Sequence, residues 1–300
     1  DTPEVRVGGR VVSLLRQIGE GGYGTIHLVA DTRTGERFVL KRLRAPSQDL
    51  LAAARSEVEL LEVLNHRNIV GHVSHAIVPH RRFTEVLLLI EYVEGGNLLE
   101  TINKRTTPFA EAEVWRIFVD VVRAVAYLHG QDPPIAHRDV KLENILHSRR
   151  TQSYKLCDFG SCMVGRVFFN SEKQRAEEEE RIERFTTLNY RAPEMVDFFG
   201  VSELTEAVDV WALGIVLFAI AFRRHPFQDK GKLGILSADF SIPEDSPYSE
   251  ALHACIRRAL TPRAADRADA FEVLERCEAA MEGRRPNLSR AAQAAAKAAA

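Results

Sequence analysis

Between residues 11 and 43 short apolar runs alternate with turn residues. Val11-Val12-Ser13-Leu14-Leu15 is strand-like, and Thr25–Ala30 is β-branched and apolar with Ile26 and Leu28 on one side. A turn, "DTRTGE" at 31–36, leads into "RFVLKRL", a third strand. This order predicts an antiparallel meander. The pattern then changes period: in "LLAAARSEVELLEVLNH" (50–66) Leu60, Leu61 and Leu64 fall at helical spacing. "VLLLIEYVEGGNLLE" (86–100) reads as a buried strand ending in a Gly-Gly turn. The longest apolar run, Val210–Phe222, falls short of the roughly 20 residues of a membrane span and predicts a buried core helix, so no transmembrane segment is expected. The final "SRAAQAAAKAAA" is low-complexity, has no apolar face to bury, and reads as a tail.

Bulk properties narrow the function class. With 300 residues at 45% hydrophobic, the chain can bury one large core or the cores of two lobes. A net charge of −2 gives no electrostatic case for nucleic acid or a membrane surface. Cys157, Cys162, Cys255 and Cys277 form no C-x-x-C pair and suit reduced thiols in a cytosolic compartment. His72 and His75 form an H-x-x-H with His66 and His80 nearby. No cysteine or carboxylate frames them in sequence, which favours surface or hairpin histidines over a zinc site.

Gly19-Glu20-Gly21-Gly22-Tyr23-Gly24 fits G-x-G-x-x-G, a pattern shared by two phosphate-binding architectures. In a dinucleotide-binding fold the glycines run straight into a helix. Here a strand follows, so that reading fails. In the other, the glycines form a hairpin turn whose backbone N–H groups approach ATP phosphates without Cβ clashes.

The segment "IAHRDVKLENIL" (135–146) contains H-R-D-x-K-x-x-N, and fourteen residues after Asn144 comes Asp158 of "KLCDFGSC". "TTLNYRAPE" (186–194) and "DVWALG" (209–214) follow. Together with the glycine loop and Lys41 of "VLK", these motifs stand in the order and spacing of protein kinases, which the chain resembles over residues 10–282. The resemblance implies an α+β, bilobal protein-kinase fold. A small antiparallel lobe of five strands and one helix (10–92) would join a large, mainly helical lobe (98–282) through a hinge (93–97), leaving 283–300 as the Ala-rich tail. It also implies ATP and Mg²⁺ as cofactors, bound in a cleft between the lobes. Gly19, Glu20, Gly21, Gly22, Tyr23 and Gly24 would cover the phosphates, and Lys41 would reach them. Glu57 would pair with Lys41, Glu59 and Glu62 being the competing carboxylates on that helix. Glu91 to Val93 would meet adenine, with Ile90 as gatekeeper and Asn97 on the ribose side. Asp139 would accept or orient the substrate hydroxyl proton, and Lys141 would offset charge on the migrating phosphoryl group. Asn144 and Asp158 would hold Mg²⁺ through hard oxygens. Thr187 falls where kinases touch the catalytic Asp and Lys, Asp209 where they anchor the catalytic loop, and Arg267 where they pair with Glu194. The strand-four position that usually gives the regulatory spine an apolar residue falls on His72.

"EGGYG", "PPIAHRDVKLEN", "EEEERIERFTTLNYRAPEMVD" and "HPF-x-D-x-x-K-L" (225–233) are similar to the Numb-associated kinase family, which includes the cyclin-G-associated and adaptor-associated kinases. That likeness, with Lys141, implies a serine/threonine kinase acting on protein substrates. By analogy it extends to clathrin-adaptor machinery and to a cytoplasmic location peripheral to endocytic membranes. Neither nucleic acid nor a transmembrane segment is expected. A pseudokinase scaffold is the alternative, and the presence of Lys41, Asp139, Asn144 and Asp158 favours activity. Two readings of the acidic run stand: a short solvated helix held by Glu177–Arg181 and Glu180–Arg184 pairs, or a Glu that pairs with Arg138 in place of activating phosphate. Thr186 and Ser171 are the alternative phosphate carriers.

Overall fold

The computed structural model describes residues 3–21, 24–289 and 291–293, and the chain divides into two compact units, 1–94 and 95–300. The boundary falls between Glu94 and Gly95.

Unit one is a six-stranded antiparallel sheet with one helix. Its elements are β1 (Glu4–Val7), β2 (Arg10–Gly21), β3 (Gly24–Asp31), β4 (Arg37–Ala45), α1 (Gln48–Val63), β5 (His72–Pro79) and β6 (Thr84–Glu91), in sheet order β1-β2-β3-β4-β6-β5. The expected meander is β2, β3 and β4. The sixth strand, β1, was not foreseen. It pairs with β2 through Val5↔Val12 and Val7↔Arg10 across a tight turn at Gly8, where φ is +58°. One sheet face is closed by Val7, Val12, Val29, Phe38, Leu40, Leu87 and Leu89. The other receives α1, which starts on a Ser47 cap and buries Leu51, Ala54, Glu57, Val58, Leu60 and Leu61. Leu64, just past its end, is buried as the spacing predicted.

Unit two is mainly helical. In chain order it comprises α2 (Leu98–Lys104), α3 (Glu111–His129), β7 (Ile135–Ala136), β8 (Ile145–Ser148), β9 (Ser153–Leu156), β10 (Met163–Val164), β11 (Val167–Phe168) and α4 (Glu172–Phe185). It continues with α5 (Pro193–Val196), β12 (Glu203–Leu204), α6 (Ala207–Phe222), α7 (Gly231–Leu236), α8 (Glu250–Ala259) and α9 (Ala270–Met281). The apolar run becomes α6, buried from Val208 to Ala221, with α3 and α8 packed against it. Among the described residues no helix is long and apolar enough to cross a membrane. The start of the expected tail is tied back to α9. Glu275 pairs with Arg284 and accepts the Asn287 N–H at 2.7 Å, contacts that composition alone does not reveal.

Candidate active site

In unit one, β2 and β3 pair up to Gly21↔Gly24; Gly22 and Tyr23 lie outside the described residues. A Cβ on Gly24 would stand 2.0 Å from the Arg42 carbonyl oxygen, so close strand approach alone demands glycine there. Gly19 and Glu20 sit in the ladder opposite Ile26 and Thr25. On β4, Lys41 donates from Nζ to Glu57 Oε1 at 2.6 Å, which selects Glu57 over Glu59 and Glu62. Glu91 ends β6, its carboxylate accepting the Gly71 N–H at 2.8 Å, and Val93 is buried just beyond.

In unit two, Asn97 caps α2, accepting the Glu100 N–H through Oδ1 at 2.8 Å. That caps a helix with the oxygen expected on the ribose side. The loop after β7 is built on Asp209 of α6. Its fully buried carboxylate accepts the His137 N–H and the Arg138 N–H, each at 2.7 Å, and meets His129 Nε2 at 3.0 Å. Burial alone would raise this carboxyl. The His129 contact and the surrounding donors outweigh it and hold the group below the usual carboxylate range. The bonds also fix Arg138 in the left-handed region at φ +66°, a conformation a non-glycine residue keeps only when its surroundings impose it.

Asp139, next in the chain, is the centre of a four-residue network. Its Oδ2 meets Lys141 Nζ at 2.6 Å and Asn144 Nδ2 at 3.0 Å, and its Oδ1 accepts Thr187 Oγ1 at 2.8 Å and Thr187 N at 3.1 Å. Lys141 Nζ donates to Thr187 Oγ1 at 2.8 Å, so one hydroxyl bridges the acid and the base. Because Asn144 spends Nδ2 on Asp139, its Oδ1 is the atom presented to a hard cation. The Asn144 carbonyl accepts the Cys157 N–H at 2.9 Å, which brings in the chain at Asp158. Asp158 is exposed with φ +65°, while Phe159 is buried beside His137. An oriented amide oxygen and an exposed carboxylate fit a divalent metal that prefers oxygen ligands.

The acidic run forms α4, a largely exposed helix that also places one glutamate on Arg138. Glu178 is buried against Arg138, their side chains only 6% and 2% exposed, and Arg138 Nε donates to the Ser161 carbonyl at 2.6 Å. Burial pulls the guanidinium below its ordinary value and Glu178 pulls it up. Apart from Glu178 and the buried Ile182, α4 is largely solvated, with Lys173–Glu177 and Arg181–Glu178 pairs instead of the Glu177–Arg181 pair that spacing suggested. Ser171 caps α4 by accepting the Gln174 N–H, and Thr186 Oγ1 accepts from Arg191 Nε at 2.8 Å. The Arg267–Glu194 pair forms at 2.7 and 2.9 Å. Sequence reasoning missed His129, which stands in no motif, and gave no role to Ser161 and Arg191, which lie inside the "KLCDFGSC" and "TTLNYRAPE" segments. It also missed Glu62, which stands 3.3 Å from His75 and supplies the carboxylate whose absence had spoken against the histidine pair.

A carboxylate and a lysine converging on one hydroxyl, with an asparagine bonded to that carboxylate and offering its amide oxygen to a metal, define a phosphotransferase-type site. The model of the protein kinase domain matches residues 12–277, and the chain belongs to that family. Two probable serine/threonine-protein kinases of Dictyostelium discoideum are similar to it. One is 42% identical over 84% of this chain and 32% of its own length, the other 38% identical over 90% and 24%. Actin-regulating kinase 1 of Saccharomyces cerevisiae is 34% identical over 91% of this chain and 44% of its own. The chain thus spans between about a quarter and under half of these curated relatives.

Proposed function

We propose that the chain transfers the γ-phosphate of Mg-ATP to serine and threonine hydroxyls of protein substrates. The observation that carries this reading is the Asp139–Lys141–Thr187–Asn144 network. Asp139 has a carboxylate oxygen placed to take a hydroxyl proton, and Lys141 sits beside it as a positive charge for the phosphoryl oxygens. Asn144 Oδ1 and Asp158 would hold Mg²⁺, which when bound neutralises phosphate charge. Lys41, anchored by Glu57, is the phosphate-reaching lysine that the motif order implies. The relatives' serine/threonine-kinase names support the acceptor class. The pseudokinase alternative gains nothing from this geometry.

The subfamily motifs support a Numb-associated placement, with clathrin-adaptor proteins as the substrate class and a cytoplasmic site peripheral to endocytic membranes. The test is γ-phosphate transfer from Mg-ATP to a degenerate peptide library, with Asp139→Asn as control and adaptor subunits as a second arm. Transfer to Ser/Thr peptides that the variant lacks is expected. Absence of transfer by the wild type despite ATP binding, or phosphotyrosine as the main product, overturns the proposal. Adaptor subunits no better than random peptides overturn the substrate assignment alone.

A further inference from the structure

His72 and His75 lie three apart on β5, a spacing that places side chains on opposite faces of a regular strand. The β5–β6 register shows why they meet. His72 pairs with Ile90, Ser74 with Leu89 and His75 with Leu88, so three steps on β5 match two on β6. The extra residue is a β-bulge at Val73. Both imidazoles therefore share the face of Leu88 and Lys41, the face on which α1 lies, while Val73 and Ala76 pack into the opposite core. The last turn of α1 brings Glu62 to the same spot. His75 Nδ1 stands 3.3 Å from His72 Nε2 and 3.3 Å from Glu62 Oε1, and the three donor atoms all lie within 4.8 Å of one another.

Ligand atoms around a tetrahedral ion with bonds of about 2.0–2.1 Å are about 3.3 Å apart. Two of the three separations already have that value. The spacing is long for the N–H···O bond that His75 and Glu62 would otherwise make, and one Nδ1–H serves two acceptors poorly. Two imidazoles and a carboxylate are the donor set of a borderline divalent ion, not of magnesium or calcium. The histidines are half-buried and Glu62 is exposed, which leaves a side open for water as fourth ligand.

We propose that Glu62, His72 and His75 form a zinc site that clamps the end of α1 to β5. Glu62 lies five residues after Glu57 on the same helix, roughly 7.5 Å along it. Zinc therefore ties down the helix whose Glu57 holds Lys41. All three residues of the site belong to unit one.

The experiment uses the untagged chain stripped with chelator, titrated with zinc chloride by calorimetry and, in parallel, with cobalt chloride by absorption. Glu62→Gln and His75→Gln are compared after metal-free melts confirm that both fold. The expected result is one zinc per wild-type chain, intense visible cobalt bands of a four-coordinate site, and a melting temperature that rises with zinc. In each variant the affinity falls at least about tenfold, and the cobalt bands and the melting shift are lost. Zinc binding that is absent from the wild type, or equal in wild type and variants, overturns the proposal. Binding without a melting shift overturns the clamp.

Discussion

Glu178→Ala tests whether a carboxylate fixed in the chain does the work of an activating phosphate. The Arg138–Glu178 pair is almost fully buried, and the other contact of the guanidinium noted above is the neutral Ser161 carbonyl. Removing one partner of a buried pair leaves an uncompensated charge and costs about 3–5 kcal/mol. The structure indicates where that cost falls. Only Glu178 and Ile182 of α4 are buried, so the helix detaches at less expense than unit two unfolds, and undocking lets water reach Arg138. At about 1.4 kcal/mol per tenfold, the docked population of α4 drops by roughly two to three and a half orders of magnitude relative to the undocked one. Hydrogen exchange of residues 173–185 reads this directly, and transfer to peptide reads its consequence at Thr187, just beyond the helix. Glu178→Gln keeps the shape and one hydrogen bond and falls between the two. Phosphatase-treated wild type keeps its full rate. If Glu178→Ala leaves both exchange and rate unchanged, or if phosphatase abolishes wild-type activity, the reasoning is refuted.

Other outcomes follow from single contacts. Thr187→Ala removes the hydroxyl bridging Lys141 and Asp139, a charge-assisted contact of about 1.5–3 kcal/mol. Steady-state kinetics are expected to show kcat lower by roughly ten- to a hundredfold, with Thr187→Ser largely restoring it. Because the Asp209 carboxyl lies below its ordinary value when folded, its stabilisation is present above the unfolded value of about 3.9 and lost as pH falls through the lower folded one. Urea unfolding from neutral pH down to below pH ~4 is expected to give Asp209→Asn a lower plateau and a shallower acid slope than wild type. Gly24→Ala drives a Cβ into the Arg42 carbonyl and is expected to cost about 1–3 kcal/mol in thermal unfolding, whether or not nucleotide is present.

The meander, the α1 helix, the core helix and the motif residues were legible in the sequence because each rests on local periodicity or fixed spacing. What was illegible depends on register and tertiary choice. The bulge at Val73 inverts the face of one histidine, so a strict period of two hides the pairing with Glu62. Glu177, Glu178, Glu179 and Glu180 are equivalent in one dimension, and only the docking of α4 selects Glu178. β1 is four residues long, and its hairpin shows only once Val5 and Val7 have partners. His129 joins Asp209 from 80 positions away, with no motif to announce it.

The Asp209 carboxylate gathers His129, His137 and Arg138 across 80, 72 and 71 positions of chain. Such long closures are entropically costly and become favourable only once α6 is buried. The left-handed turn at Arg138 therefore cannot precede that burial in folding. Trp211, fully buried two positions after Asp209, is a built-in clock for it. In a refolding experiment on a Trp115→Phe variant, which leaves Trp211 as the one tryptophan, its fluorescence reaches the native value before, or together with, the return of phosphoryl transfer.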